Sequence, residues 1–331
     1  MKLISIKKSE TSLANKKRIN PDVGQTISCL IALTLLFVIF TISSPYFLTM
    51  DNLTTVMTQT ITTALLGFGM TYVIISGCID LSVAPTLAMS SVIVATLLAK
   101  GLPIFACCLG AVVFALFIGV LNGLLVTKLK LPAFVATIGT QMSIRGLALV
   151  LTDSRAVYIS ERKDFRILAQ GRLFGLQYPV YIMLLVAVIA ALILKKTVIG
   201  RRIYAIGSNE EAARLSGINV DRVRIFTYMF SALMSCVAGI IVTARVNSGQ
   251  PSIAVGHEAY AVAASVIGGV SMSGGHGRIL GTLLGAIIIG ILNNGLNLIG
   301  VSTQWQQVAT GATLIIAVYI DIIRQRRRMG A

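Results

Sequence analysis

Again and again along this chain, about twenty residues pass with scarcely a charge. The run "ISCLIALTLLFVIF" from Ile27 is one, and "GTLLGAIIIGIL" from Gly281 is another. A helix needs about 20 mainly apolar residues to cross a bilayer, and every backbone polar group must be satisfied inside it. Candidate spans fall at roughly 25–44, 53–76, 83–99, 103–126, 131–152, 178–194, 225–244, 259–275, 279–299 and 306–323. The third and eighth are short and interrupted. The expected fold class is an all-α polytopic membrane protein of about ten transmembrane helices.

Composition agrees: 56% of the residues are hydrophobic and 12% charged, against about 25% charged in soluble domains. The net charge of +16 would suggest nucleic acid in a soluble chain. Here the basic residues flank apolar runs and no nucleic-acid-reading motif is present. Membrane lipid is the expected partner, and no nucleic acid. The first basic cluster, Lys7 to Arg18, and the run after it resemble a signal peptide. No small-residue cleavage site follows, so a retained first helix is expected.

With ten spans and the N-terminus inside, twenty Lys and Arg fall in inside segments and seven in outside ones. That asymmetry puts both termini in the cytoplasm. The expected organisation is a cytoplasmic segment over 1–24, a membrane domain over 25–323 and a basic cytoplasmic tail over 324–331. A cytoplasmic loop at 195–224 divides the membrane domain.

The chain also repeats itself. "IGVLNGLLV" at Ile118 returns as "IGILNNGLNL" at Ile289, "VATIGT" at Val135 as "VATGAT" at Val308, and "SGCIDLSV" at Ser76 as "SGQPSIAV" at Ser248. The offsets are 171, 173 and 172 residues. Three matches in order at one offset suggest a duplication. The offset carries span two onto span seven, an odd number of spans, so the halves (about 53–152 and 225–323) are expected to be inverted repeats.

One stretch does not belong in lipid. "IGSNEEAARLSG", residues 206–217, is polar and carries both signs of charge. Ser208 and Glu211 are spaced as a capping box, with Asn209 between them and Glu210 also in the first turn. Ala212, Ala213 and Leu215 are apolar, Arg214 lies near the end, and Gly217 can cap it. So short a helix is marginal alone. It must dock, either on its own protein or on another.

Elsewhere two readings stand side by side. Asp80 sits between apolar spans, with Gly77 and Pro85 able to break helices beside it. It is read as an N-cap, with Leu81 and Ser82 opening the next helix ("LSVAPTLAM"), against a proton-relay or substrate role. Its counterpart Ser252 is also a plausible cap. Arg145 either snorkels outward or pairs inside the bundle. Asn122, Asn293, Asn294 and Asn297 could face a sugar pathway or bond helix to helix. The glycines Gly268, Gly269, Gly274, Gly275 and Gly277 mark a bend or gate, or close packing. No cofactor or metal site is expected: the five cysteines lack a CxxC pair, and the two histidines, His257 and His276, are isolated.

"EAARLSG" has the E-A-A-x-x-x-G pattern of the coupling loop in permease subunits of bacterial ABC importers. The wider chain resembles the ribose-type monosaccharide permeases through "GMTYVIISGCIDLSV", "LNGLLVTKLKLPAFVATIGT", "AIGSNEEAARLSGINV", the glycine-rich segment from Ala264 to Ser302, and the closing "VYID". Two departures are visible: Ala84-Pro85 follows "DLSV" where the family usually has glycine, and His276 sits within a glycine cluster. The resemblance implies a second permease chain, homologous or identical, an ABC ATPase subunit (often two cassettes in one chain) and a soluble substrate-binding protein. It implies residence in the bacterial cytoplasmic membrane and a transport subunit that is not itself an enzyme. No G-x-x-x-x-G-K-[ST] occurs in the sequence. The alternative is a proton-coupled secondary sugar transporter using Asp80.

Overall fold

The computed structural model describes residues 21–159 and 162–329. The basic N-terminal segment as far as residue 20, and the last two residues of the tail, lie outside them. In chain order the elements are α1 (Pro21–Ser43), α2 (Met50–Ile75), α3 (Val83–Ala99), α4 (Ile104–Thr127) and α5 (Ala133–Leu151). Next come β1 (Val157–Tyr158), α6 (Lys163–Gln170), β2 (Arg172–Leu173), β3 (Leu176–Gln177), α7 (Tyr178–Lys196), α8 (Val198–Ser208) and α9 (Glu210–Leu215). The chain continues with α10 (Val220–Val246), β4 (Ser248–Gly249), α11 (His257–Ile267), α12 (Ile279–Leu298) and α13 (Thr303–Met329).

Eight of these helices are long and apolar enough to cross a membrane: α1, α2, α4, α5, α7, α10, α12 and α13. The third and eighth expected spans are the two that fall short. α3 has 17 residues and α11 only 11. The expected span at 259–275 is therefore corrected: the helix stops at Ile267, and 268–277 is irregular. The glycines there carry positive φ at Gly269, Gly274 and Gly275, which a continuing helix cannot adopt.

Two helices form the axis of the bundle. α2 is buried without interruption from Thr60 to Ile75. Its Tyr72 ring stacks on Phe230 of α10 with centroids 4.0 Å apart, and its hydroxyl donates to the carbonyl of Ala190 in α7 at 2.7 Å. The outer helices turn apolar side chains outward, among them Phe105 and Phe117 of α4, Leu185 of α7 and Ile315 of α13. Such a surface is solvated by lipid, and the chain is a multi-pass membrane protein.

Small residues let the axis helices be approached closely. A Cβ on Gly67 of α2 would meet Thr282 of α12 at 2.8 Å, with Ala264 of α11 beside it. A Cβ on Gly239 of α10 would lie 2.6 Å from the carbonyl oxygen of Leu87 in α3. One turn along from each glycine, Thr71 bonds Thr282 (2.6 Å) and Ser265 (3.4 Å), and Thr243 donates to Ser91 (2.6 Å). Glycine for contact and hydroxyl for an interhelical bond is the ordinary economy of packing in membranes.

The loops sort to two ends. At one end Lys128 pairs with Asp221 (2.9 Å), Gly275 N–H donates to Ile75 (2.9 Å), and the Tyr204 hydroxyl donates to Gly277 (2.7 Å). At the other, β1 pairs antiparallel with β4, Asn247 exchanges hydrogen bonds with Ile159, and Arg162 donates to Leu102.

Candidate functional site

The polar stretch folds as two helices at the first end. α8 starts on Thr197, whose hydroxyl accepts from Gly200 N–H at 3.2 Å. It buries Ile203 and Ile206 and runs on through Ser208. The capping box on Ser208 is thereby corrected. Ser208 is the last residue of α8, and the cap of α9 is Asn209, whose backbone is extended and whose side chain accepts from Ala212 N–H at 2.9 Å. The Asn209 N–H meanwhile closes α8 on the Ala205 carbonyl at 3.1 Å. One residue thus ends a helix and begins the next.

α9 ends in a Schellman motif. Ile218 N–H donates to Ala213 and Gly217 N–H to Arg214, both at 3.1 Å, with Gly217 at φ +80°. Ala213 is buried and seats the helix on its own protein, whereas Leu215 is 85% exposed. Glu211, Ala212 and Arg214 are exposed beside it. Glu210 holds the helix in place: it accepts from Arg214 at 3.0 Å and from Arg224 of α10 at 2.7 Å. Partial burial pushes the Glu210 carboxyl up, but these two guanidinium partners outweigh it and leave its pKa below the ordinary value. The clamp is therefore present above the ordinary carboxylate range and is lost as acid titrates the folded-state carboxyl. A polar cleft of about 560 Å³ opens next to it, lined by Cys78, Lys130, Glu210, Arg214, Asp221 and Arg224.

Where α8 meets α9, three segments come into backbone-to-backbone contact. A Cβ on Gly207 would overlap the carbonyl oxygen of Ile75, the last residue of α2, and crowd Gly275 N. A Cβ on Gly274 would lie 2.9 Å from Gly207 O and 3.2 Å from Gly77 Cα. Gly275 lies against Ser208. The polar segment is thus seated on the break after α2 and on the glycine-rich break after α11. Gly268 packs against Gly281 at the root of that second break. Gly207, Tyr204 and Arg224 went unselected in the sequence. Ile75 and Gly277 lie far along the chain from Gly207 and Tyr204, Glu210 lies 14 residues before Arg224, and no local pattern marks these pairings.

Asp80 is not a cap. α3 begins after Ser82, and Asp80 lies two residues before that, 1% exposed. One carboxylate oxygen accepts from the Ser82 N–H (3.0 Å) and hydroxyl (2.6 Å), and the other from Ser231 of α10 (2.8 Å). Asn122 of α4 donates to Ser82 at 2.8 Å. The acid ties three helices, and this work needs it before the helix, not on its first turn. Pro85 sits in the first turn of α3, where its missing N–H is no loss. Nor does Ser252 cap α11; Gly256 occupies that position, after a turn over 251–256.

The amides separate. Asn294 is buried and exchanges two hydrogen bonds with Asn52 of α2, at 2.8 and 3.0 Å. Asn122 serves the Asp80 network, Asn293 accepts from Thr310 of α13 at 3.4 Å, and Asn297 is exposed. The structure does not gather the four into one site. Arg145 turns inward, donating to the carbonyls of Pro251 and Ile253 at 2.6 and 2.9 Å.

Residues 52–318 match the family described as branched-chain amino acid transport system / permease component. The chain is 44% identical to the ribose import permease protein of Bacillus subtilis (strain 168), over 95% of its own length and 98% of that protein's. This chain belongs to that permease family. Other relatives include the ribose import permease protein of Haemophilus influenzae, 41% identical over 88% of this chain and 91% of that one. The D-allose transport system permease protein of Escherichia coli (strain K12) is 38% identical, over 87% and 89%. Within the family match lie both helix breaks, the Asp80 network and the α8–α9 segment of this permease.

Proposed function

We propose that this permease carries a ribose-type monosaccharide into the cytoplasm as the membrane subunit of an ATP-driven importer. A binding protein delivers the sugar, a second permease chain pairs with this one in the bacterial inner membrane, and a separate ATPase subunit docks on α9. The carrying observation is the exposure of Leu215 on a helix otherwise held firmly by Ala213, Glu210 and its two caps. A rigid helix with a bare leucine and a polar cleft beside it suits a protein partner. Ribose and allose relatives support the sugar class.

The end bearing α8 and α9 is the cytoplasmic one, since Lys128 and Lys130 of the α4–α5 loop, Lys195 and Lys196 of the last turn of α7, and Arg201 and Arg202 of α8 gather there. The halves are inverted repeats. Gly67 and Thr71 of α2 receive α11, while Gly239 and Thr243 of α10 receive α3, and each pair lies 172 residues from its counterpart. In this reading ATP-driven movement of the ATPases shifts α9, and the backbone junction at Gly207 passes that shift to both helix breaks.

Leu215→Asp, and separately Glu211→Lys, are expected to leave the chain inserted, because neither side chain makes a contact that holds this protein together. Sugar uptake in reconstituted importer should fall about tenfold or more, the scale of a lost interface anchor. Wild-type uptake at equal membrane level by both variants would sink the docking role.

A further inference from the structure

At the end opposite α9, polar side chains converge at membrane depth. Arg145 lies six residues from the end of α5, roughly 9 Å along the helix axis. Ionisable groups so placed are costly and mark functional paths. Gln141, one turn earlier on the same face, donates to Glu258 Oε1 in the first turn of α11 at 3.2 Å. Arg145 holds the carbonyls of the turn that leads into α11. Tyr260 packs beside His257, ring centroids 5.2 Å apart.

The second oxygen of Glu258, Oε2, is buried and has no hydrogen-bond partner among the described residues. A buried carboxylate oxygen left unpaired is expensive, and most such atoms are satisfied. A helix clamp would need only the Gln141 contact and the Arg145 contacts. Among the described residues no donor reaches this extra acceptor, which leaves it able to accept from a hydroxyl.

We propose that Glu258, with Gln141, Arg145 and Tyr260, forms a station for a neutral polyhydroxylated solute at the outer end of the translocation path. This rests on the sugar-importer reading above. A carboxylate accepts from sugar hydroxyls, an amide both donates and accepts, and a guanidinium donates to hydroxyl oxygens. An aromatic ring gives the sugar's C–H face something to pack on. Opposite charges in one cluster leave little net field, which suits an uncharged cargo. In this structure the station is shut, with Oε2 shielded from solvent.

The test uses the full importer, this chain with its ATPase and binding protein, in proteoliposomes offered D-ribose, D-allose or L-arabinose. Sugar imported is measured per ATP hydrolysed. Glu258→Gln keeps the size of the side chain and its contact with Gln141. It should lower that ratio roughly tenfold, the worth of a hydrogen bond to a charged group. A ratio within about twofold of wild type overturns the station, whether uptake is intact or has fallen together with hydrolysis as a damaged clamp would make it. If wild type imports none of the three sugars, the importer reading fails first and the station with it.

Discussion

Gly207→Val cuts transport roughly 10- to 100-fold while leaving the chain in the membrane. That is the expected result with the largest effect, and its cause is steric. The Cβ of any residue at 207 would overlap the carbonyl oxygen of Ile75 and crowd Gly275 N. Both obstacles are backbone, so no rotamer change relieves them. α8 would have to lift from the end of α2, from the glycine-rich break, or from both. Overpacking of this kind costs about 1–3 kcal/mol or more, so a roughly 10- to 100-fold loss is expected for Gly207→Val and a smaller one for Gly207→Ala. Gly139, whose Cβ would meet nothing within 4 Å, is the control. Uptake by reconstituted importer, at matched membrane level, reads the effect. Wild-type uptake by Gly207→Val would show that the junction transmits nothing.

The second large effect is expected at Asp80, and the choice of substitution matters. Asp80→Ala strands two hydroxyls and one N–H that now end on the carboxylate. Unpaired buried groups cost about 1–3 kcal/mol each, and about 2–4 °C of melting temperature goes with each kcal/mol in chains of moderate size. Even at the low end of that cost, the three groups lower the melting temperature in detergent by roughly 6–12 °C for Asp80→Ala. Asp80→Asn keeps an acceptor for Ser82 and should lose less than half as much. It should also keep most of its uptake. A proton relay would give the reverse: Asp80→Asn would be stable but dead. The two variants measured together decide between a buried tie and a proton path.

How much of this was legible in the residues follows from where each interaction is encoded. The long spans were readable because a run of apolar residues carries its own length. The extent of α3 was readable from its apolar run, 83–99, but its cap was not, since an Asp80 cap would open the helix at Leu81 and it opens at Val83. The extent of α11 was not readable. Its apolar character runs on past Ile267 into "GGVSMSGG", and only the positive φ of Gly269 and its neighbours ends the helix there. The cap of α9 was misplaced by one position because Ser208 and Asn209 are both good caps. The choice fell to Asn209 because α8, begun at Thr197, extends through Ser208.

The candidate site was visible as a polar island, but its wiring was not. Gly207 lies in that island and looks like any glycine. Its meaning comes from Ile75 and Gly275, which the fold brings to it from far along the chain. The same holds for Asn294, for which sequence alone leaves open a sugar pathway or a bond between helices and does not name Asn52 as the partner. A tertiary partner decides such cases, and a single sequence does not print it.

The central claim is that α9 stands in the cytoplasm against a nucleotide-hydrolysing partner. The most direct test places a thiol there by Leu215→Cys. Half-buried Cys78 lines the cleft beside α9, so the test is made in a Cys78→Ser background, where the remaining native cysteines are buried or half-buried and a membrane-impermeant thiol reagent reports position 215. In sealed right-side-out vesicles the reagent should leave 215 unlabelled. In inverted vesicles it should label 215, and added ATPase subunit should block that labelling. Labelling from the outside, or labelling in inverted vesicles that the ATPase subunit does not diminish, would contradict the account.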